Sequence, residues 1–305
     1  MNTNDNMKIT FEEFTVLMKE GLENCFFGNE EIDISIQVNP KINGNQTAIQ
    51  IRRPGEMVIP NIYLAEYYEE FQQHLDLNQS IQMLYEEYLS SQNSKKPNLD
   101  LDGAIDKLFL TTINTDMNTE LLKQVPSKQI LDLSIIVRVL VSIDKESINT
   151  TLVTHDMMNH LHLTEQQLFE YAERNTRNIF PLTIEPINFI VGNILEDFFM
   201  SLFGIPPVPM FVISNESRNH GAGSLFVYPD TLETVYQKLG GDYYILPSSI
   251  HDLIAVPKSC CDDPTALKEI VGSINSNEVL PEEVLSNNVY HYDSASRQLA
   301  IWSEE

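Results

Sequence analysis

The sequence predicts an α+β protein, with antiparallel sheets and helices packed on one face. Three observations predict it. Short alternating strands come as hairpin pairs, as at Ile32–Val38 and Ala48–Ile51 around Asn43-Gly44. Capped amphipathic helices separate these pairs, most clearly after Thr10 and Thr164. From Met210 onward the chain reads as a ββαββα unit with short links, an order that favours an antiparallel sheet.

The opening residues 1–7 are polar. Thr10 then has Glu13 three positions on, the spacing of a capping box, and Phe11, Phe14, Leu17 and Leu22 follow at helical intervals to about Asn24. Ile34, Ile36 and Val38 alternate with polar residues as a half-buried strand, Asn43-Gly44 turns the chain, and Ile49 and Ile51 return it. A third short strand is expected at Met57–Ile59 after Pro54-Gly55. From Ile62 to about Leu89 Phe71, Leu84 and Tyr88 keep helical spacing, with an offset near Asp76–Asn78 that reads as a kink. Between Pro54 and Ser94 there are seven Asp or Glu and no Lys or Arg, which makes Glu66, Glu69 and Glu70 candidate binding residues for a metal or a basic partner. The competing reading is a solvated polar helix face, where Glu86 and Glu87 would belong as well.

Ser91–Asp100 reads as a hinge-like loop. A short helix (Leu101–Lys107), a strand at Phe109–Ile113, and a helix from Thr115 to Lys123 follow, before the Pro126 turn. Ile130–Ile143 is a long run rich in β-branched residues, expected as one central strand buried on both faces, with Arg138 inside it meeting a carboxylate or the wet side of the strand, and ligand binding as the lesser reading. Asn149–Val153 pairs back. His155, His160 and His162 come next, three of the seven histidines. They are weak metal candidates. The step from His155 to His160 turns a helix by roughly 140°, and His160-x-His162 suits a strand instead. Thr164 caps a helix with Gln167 at its third position, ending near Arg174-Asn175. Pro181 and Pro186 bracket an extended link, Ile187–Phe203 reads as an apolar helix, and GIPPVP marks a boundary. Residues 1–203 and 208–305 are the two expected regions, with one continuous structural unit as the other arrangement.

In the last region, strands at Phe211–Ser214 and Leu225–Tyr228 precede a helix from Pro229 that ends at Gly240-Gly241. Strands at Tyr243–Leu246 and Leu253–Val256 follow, then a helix opened by Asp263-Pro264, and terminal strands at Val289–Tyr292 and Gln298–Trp302. Ser248, Ser249, His251 and Asp252 bring hydroxyl, imidazole and carboxylate together, so Ser249, His251 and Asp252 are the catalytic candidates. A catalytic triad draws its members from separate elements, so adjacency alone is weak support, and there is no G-x-S-x-G elbow. Asn219 and His220, at the tip of a glycine-bearing connection, are further binding candidates.

Several segments together resemble a bacterial family known only as a domain of unknown function, found mainly in gut anaerobes. They are IRRPGEMVIPNIYLAEYYEEF, ISNESRNHGAGSLFVYPDTLETV, LGGDYYILPSSIHDLIAVP and EVLPEEVLSNNVYHYD. The resemblance spans about Phe11 to Asp293 and implies no activity, cofactor or catalytic residue. LFEYAERNTRNIFP ahead of PSSIHDLIAVP is loosely similar, at the level of fold, to another uncharacterised group of bacterial cytoplasmic proteins.

Composition bounds the function. With 19 Lys and Arg against 44 Asp and Glu, the formal charge is −25, which speaks against direct nucleic-acid binding through phosphates. Three cysteines, two of them adjacent, do not form a disulfide framework and favour a reducing compartment. The amino terminus carries no secretory pattern, and apolar runs of about eight residues are far short of a membrane span. The expectation is a cytoplasmic acidic protein without a cofactor that acts through protein–protein contacts, with a basic protein as partner. A hydrolase centred on Ser249, His251 and Asp252 is the alternative, and an acidic mimic of nucleic acid is a second one. The oligomeric state is not legible.

Overall fold

The structure is a computed structural model. It describes residues 9–26, 32–53, 61–74, 76–93, 103–143, 148–186, 210–218, 220, 229–247, 249–261 and 263–303. The expected strand at 57–59, the helix at 187–203, the GIPPVP link and the strand at 225–228 lie outside these, as do Asn219 and Ser248. The α+β class holds, with every paired strand antiparallel. Two compact units divide the chain, Met1–Asn98 and Leu99–Glu305, and the division falls inside the hinge-like loop Ser91–Asp100. The two sides of the GIPPVP link are joined in one sheet, because a strand before it pairs with a strand after it.

The first unit opens with α1 (Phe11–Cys25), where Thr10 and Glu13 form the full capping box. Strands β1 (Asp33–Lys41) and β2 (Gly44–Arg52) meet in register from Asp33↔Arg52 to Lys41↔Gly44, and β3 (Ile62–Tyr63) adds to β2. Asn43 takes φ 59°, the left-handed angle that this tight turn demands and that Asn tolerates. The kinked helix is two helices, α2 (Ala65–His74) and α3 (Leu77–Asn93), and the Asp76 carboxylate accepts from Gln79 N–H at the start of α3. Phe14, Met18 and Leu22 of α1, Ile49 and Ile51 of β2, and Phe71, Leu84 and Tyr88 of the helices form one core. At Gly21, α1 approaches α3 so closely that an added Cβ would meet Ile81 Cγ1 at 2.8 Å.

The second unit holds two sheets. Strand β4 (Leu108–Asn114) follows a 3-10 turn at Ile105–Lys107, in place of the helix expected from Leu101. The helix expected from Thr115 is a 3-10 turn (Asp116–Asn118) followed by the short α4 (Thr119–Leu122). The run at 130–143 is not one strand. It is β5 (Ser127–Ile130), a tight turn at Leu131-Asp132, and β6 (Leu133–Ile143). Leu131 takes φ 55°, and the Asp132 carbonyl accepts from Thr115 N–H at 2.9 Å, so the turn is fixed by long-range bonds that the apolar text hides. Strand β6 is central, bonded to β4, β5 and β7 (Ile148–Leu152), and consecutive buried residues from Leu133 to Val137 show both its faces covered.

Helices α5 (His155–His160) and α6 (Glu165–Ile179) follow, and Thr164 with Gln167 completes a second capping box. Helix α6 runs a turn beyond the expected end. Asn175 donates to the Ile105 carbonyl at 2.7 Å, and the Thr176 hydroxyl accepts from Leu110 N–H at 2.9 Å, so residues that read as a terminus are held by their neighbours. Strands β8 (Leu182–Pro186), β9 (Phe211–Asn215), β10 (Tyr243–Leu246), β11 (Leu253–Pro257), β12 (Tyr290–Asp293) and β13 (Gln298–Ile301) make the second sheet, in the order β13-β12-β10-β11-β9-β8. Helix α7 (Pro229–Leu239) covers the face with Tyr243 and Ile245, whereas α8 (Pro264–Asn277) covers the face with Tyr244 and Leu246. The two helices thus take opposite sides of a sheet whose alternate residues are apolar on both, where one shared face was expected.

Candidate functional site

The structure places the sequence-predicted site residues in separate units, and each group is described by itself. Glu66, Glu69 and Glu70 lie on α2, with Glu66 and Glu69 exposed and Glu70 partly so. Phe71 turns inward on the same helix, which leaves the carboxylates on the outer face. Packing of α2 on α3 brings a further acid to them, because the Tyr67 hydroxyl donates to Glu87. Burial, that bond, and the charges of Glu87, Glu66 and Glu70 all push the Tyr67 phenol well above its ordinary range. The phenol therefore reports a field of concentrated negative charge, contributed by two helices that carry no Lys or Arg from Ile62 to Asn93.

In the second unit, His251 sits between the turn at Pro247 and β11. Ser249 bridges to Val284, and Ile250 N–H donates to the Glu283 carbonyl at 2.9 Å, so the turn is laid against the segment before β12. His251 Nδ1 accepts from His220 N–H at 3.2 Å, so the ring proton belongs on Nε2, which faces Glu283 Oε1 at 3.1 Å. Ser249 Oγ accepts from His251 N–H at 2.9 Å, and the His251 carbonyl accepts from the Ser214 hydroxyl at 3.1 Å. Neither the Ser249 hydroxyl nor the Asp252 carboxylate is a partner of the His251 ring. Asp252 Oδ1 is buried without a hydrogen bond. Both ring nitrogens are taken, so in this arrangement His251 is poised to hold the turn in place, and a serine would have to displace a present partner to be activated.

His220 lies against this group. It is buried, adopts φ 53°, and its Nδ1 is 3.3 Å from the Thr111 hydroxyl on β4. Its ring also packs at 5.4 Å from Phe109 and 5.7 Å from His251. Burial, then the charge of Arg138 and then His251, pulls its pKa down to about 3. Glu283 and Thr111 are the members that sequence reasoning missed. Glu283 lies in EVLPEEV, a segment already marked by the family resemblance, but nothing local links it to a histidine 32 positions earlier.

His155 and His160 open and close α5, and His162 follows with φ 56°. His160 Nδ1 lies 2.8 Å from the Asp156 carbonyl. Among the described residues, no three His, Cys, Asp or Glu side chains are gathered to hold a metal ion. No helix among those residues is long and apolar enough to cross a membrane. Compared with known sequences, the chain matches the profile of the Family of unknown function (DUF5688) over residues 11–294. No curated protein and no solved structure matches it.

Proposed function

The chain belongs to this family of unknown function, and on that premise we propose that it is a non-enzymatic binding protein that takes a basic protein partner on the acidic face of α2 and α3. The observation that carries the reading is the convergence of Glu66, Glu70 and Glu87 on the Tyr67 phenol. Carboxylates held together by packing between helices keep their charge density without the ordering that a mobile acidic segment would need. Exposed Glu69, Glu86 and Met83 extend the surface, giving an approaching Lys or Arg both charge and apolar contact for its stem. Such a surface sets on-rate and choice of partner more than raw affinity.

A bacterial source and a cytoplasmic location belong to the same proposal, supported by the family resemblance and by Cys25, Cys260 and Cys261, which form no disulfide with one another. The experiment is a capture of proteins from host lysate with tagged protein at low and at high salt. A partner retained at low salt and released at high salt is the expected result. Retention that ignores ionic strength would remove the electrostatic basis of the reading.

A further inference from the structure

In a chain with 44 acidic residues against 19 Lys and Arg, one would expect a partly buried arginine to have found a carboxylate. Arg138 has not. It projects from the middle of β6, where Nε donates to the Thr150 hydroxyl across β7 at 2.8 Å, and among the described residues no carboxylate pairs with the guanidinium. Burial lowers its pKa to about 10 with no compensating partner. A desolvated cation without a counter-charge is costly to the fold, and apolar replacement of such a group is often neutral or stabilising.

The surroundings add to the same charge. Arg138 stands opposite Phe109 in the β4–β6 register, so both side chains share one face of the sheet. Against Phe109 lie Phe180, at 5.0 Å, and His220. The charge of Arg138 disfavours a proton on His220. His220 Nδ1 lies 3.3 Å from the Thr111 hydroxyl, and its lowered pKa makes it a neutral imidazole beside the arginine. Glu283 is already turned to His251. Guanidinium, neutral imidazole and aromatic walls make a combination that receives a planar or tetrahedral oxyanion, because the guanidinium fork matches two oxygens at once.

We propose that Arg138 and His220, on the Phe109 face of β6, form a binding site for a small ligand bearing a carboxylate or phosphate group. This site lies in the second unit and does not depend on the acidic face of the first.

The test is thermal unfolding of the full chain, followed by the fluorescence of Trp302, the single tryptophan, which packs in the same unit. Inorganic phosphate and succinate are titrated separately at fixed ionic strength, into wild type, Arg138→Met and Arg138→Lys. The wild-type midpoint is expected to rise with one of the two anions, and which one identifies the oxyanion class. Arg138→Met should abolish that rise while its own midpoint without anion equals or exceeds wild type. Arg138→Lys, which keeps the charge and loses the fork, should respond weakly, and it stands in if the Met variant does not fold. A wild-type midpoint that neither anion moves overturns the proposal. A response that persists unchanged in the Arg138 variants overturns it as well.

Discussion

Removing the Asp132 carboxylate should loosen the second unit far more than its half-exposed position suggests. The Asp132 side chain accepts from the Ser286 hydroxyl at 2.6 Å and from the Asn288 amide at 2.9 Å on one oxygen. On the other it accepts from the Tyr290 hydroxyl at 2.6 Å. It thereby ties the β5–β6 turn to the entry of β12 across more than 150 residues. Tyr290 is fully buried, and burial with the Asp132 charge pushes its phenol far above the ordinary range, so the hydroxyl stays a donor. Each hydrogen bond to a charged group contributes roughly 1.5–3 kcal/mol, and an orphaned buried hydroxyl costs about 1–3 kcal/mol. Since the three bonds share one partly solvated carboxylate, they do not add fully. Asp132→Ala should cost about 3–5 kcal/mol, and Tyr290→Phe about 1–2 kcal/mol. In the double variant, Asp132→Ala should cost at least about 1 kcal/mol less, because no phenol is left stranded. Urea unfolding read by Trp302 fluorescence measures all three. A loss below about 1 kcal/mol for Asp132→Ala, or strict additivity in the cycle, would refute the hub.

Two further outcomes follow from the same geometry. Gly21→Ala should destabilise the first unit by up to about 2 kcal/mol, since overpacking against Ile81 outweighs the gain of about 1 kcal/mol in helix propensity. Circular dichroism of a 1–98 fragment, if it folds alone, or of the full chain should register the loss, the Trp302 transition should not move, and Ile81→Ala should restore stability to Gly21→Ala. His220 has a folded pKa of about 3 against an ordinary 6.5, so the unfolded chain takes up the proton first. Its contribution is complete above about pH 6.5 and is lost as pH falls toward 3, by up to about 1.4 kcal/mol per pH unit. His220→Gln should flatten stability between pH 6 and 4, and a profile identical to wild type would contradict the assignment.

Local chemistry made much of the fold legible. Thr10 with Glu13 and Thr164 with Gln167 set their helices within four residues, and Asn43-Gly44 sets its hairpin, because caps and turns are satisfied by near neighbours. The break at Leu131-Asp132 was hidden in an unbroken apolar run, since what holds it is Thr115 on one side and Tyr290 far along the chain on the other. The end of α6 was misplaced for a like reason, with Asn175 and Thr176 bonded to Ile105 and Leu110 instead of to solvent. At the candidate sites, residue types could be seen and partners could not. His251 and His220 stood out in the text, whereas Glu283 and Thr111 reach them only through the pairing of distant segments. Likewise Glu66 and Glu70 were visible as charge, but their convergence with Glu87 on Tyr67 depends on how α2 packs on α3.

The most direct measurement of the binding account compares two charge-reversed proteins in the lysate capture. One carries Glu66→Lys, Glu69→Lys and Glu70→Lys on α2. The other carries Glu165→Lys, Glu170→Lys and Glu278→Lys, exposed positions of the second unit, so net charge changes equally in both. The account predicts that the salt-sensitive partner of wild type is kept by the second protein and lost by the first. Equal loss from both, or retention by both, would show that bulk acidity or another surface holds the partner, and would contradict a binding face on α2 and α3.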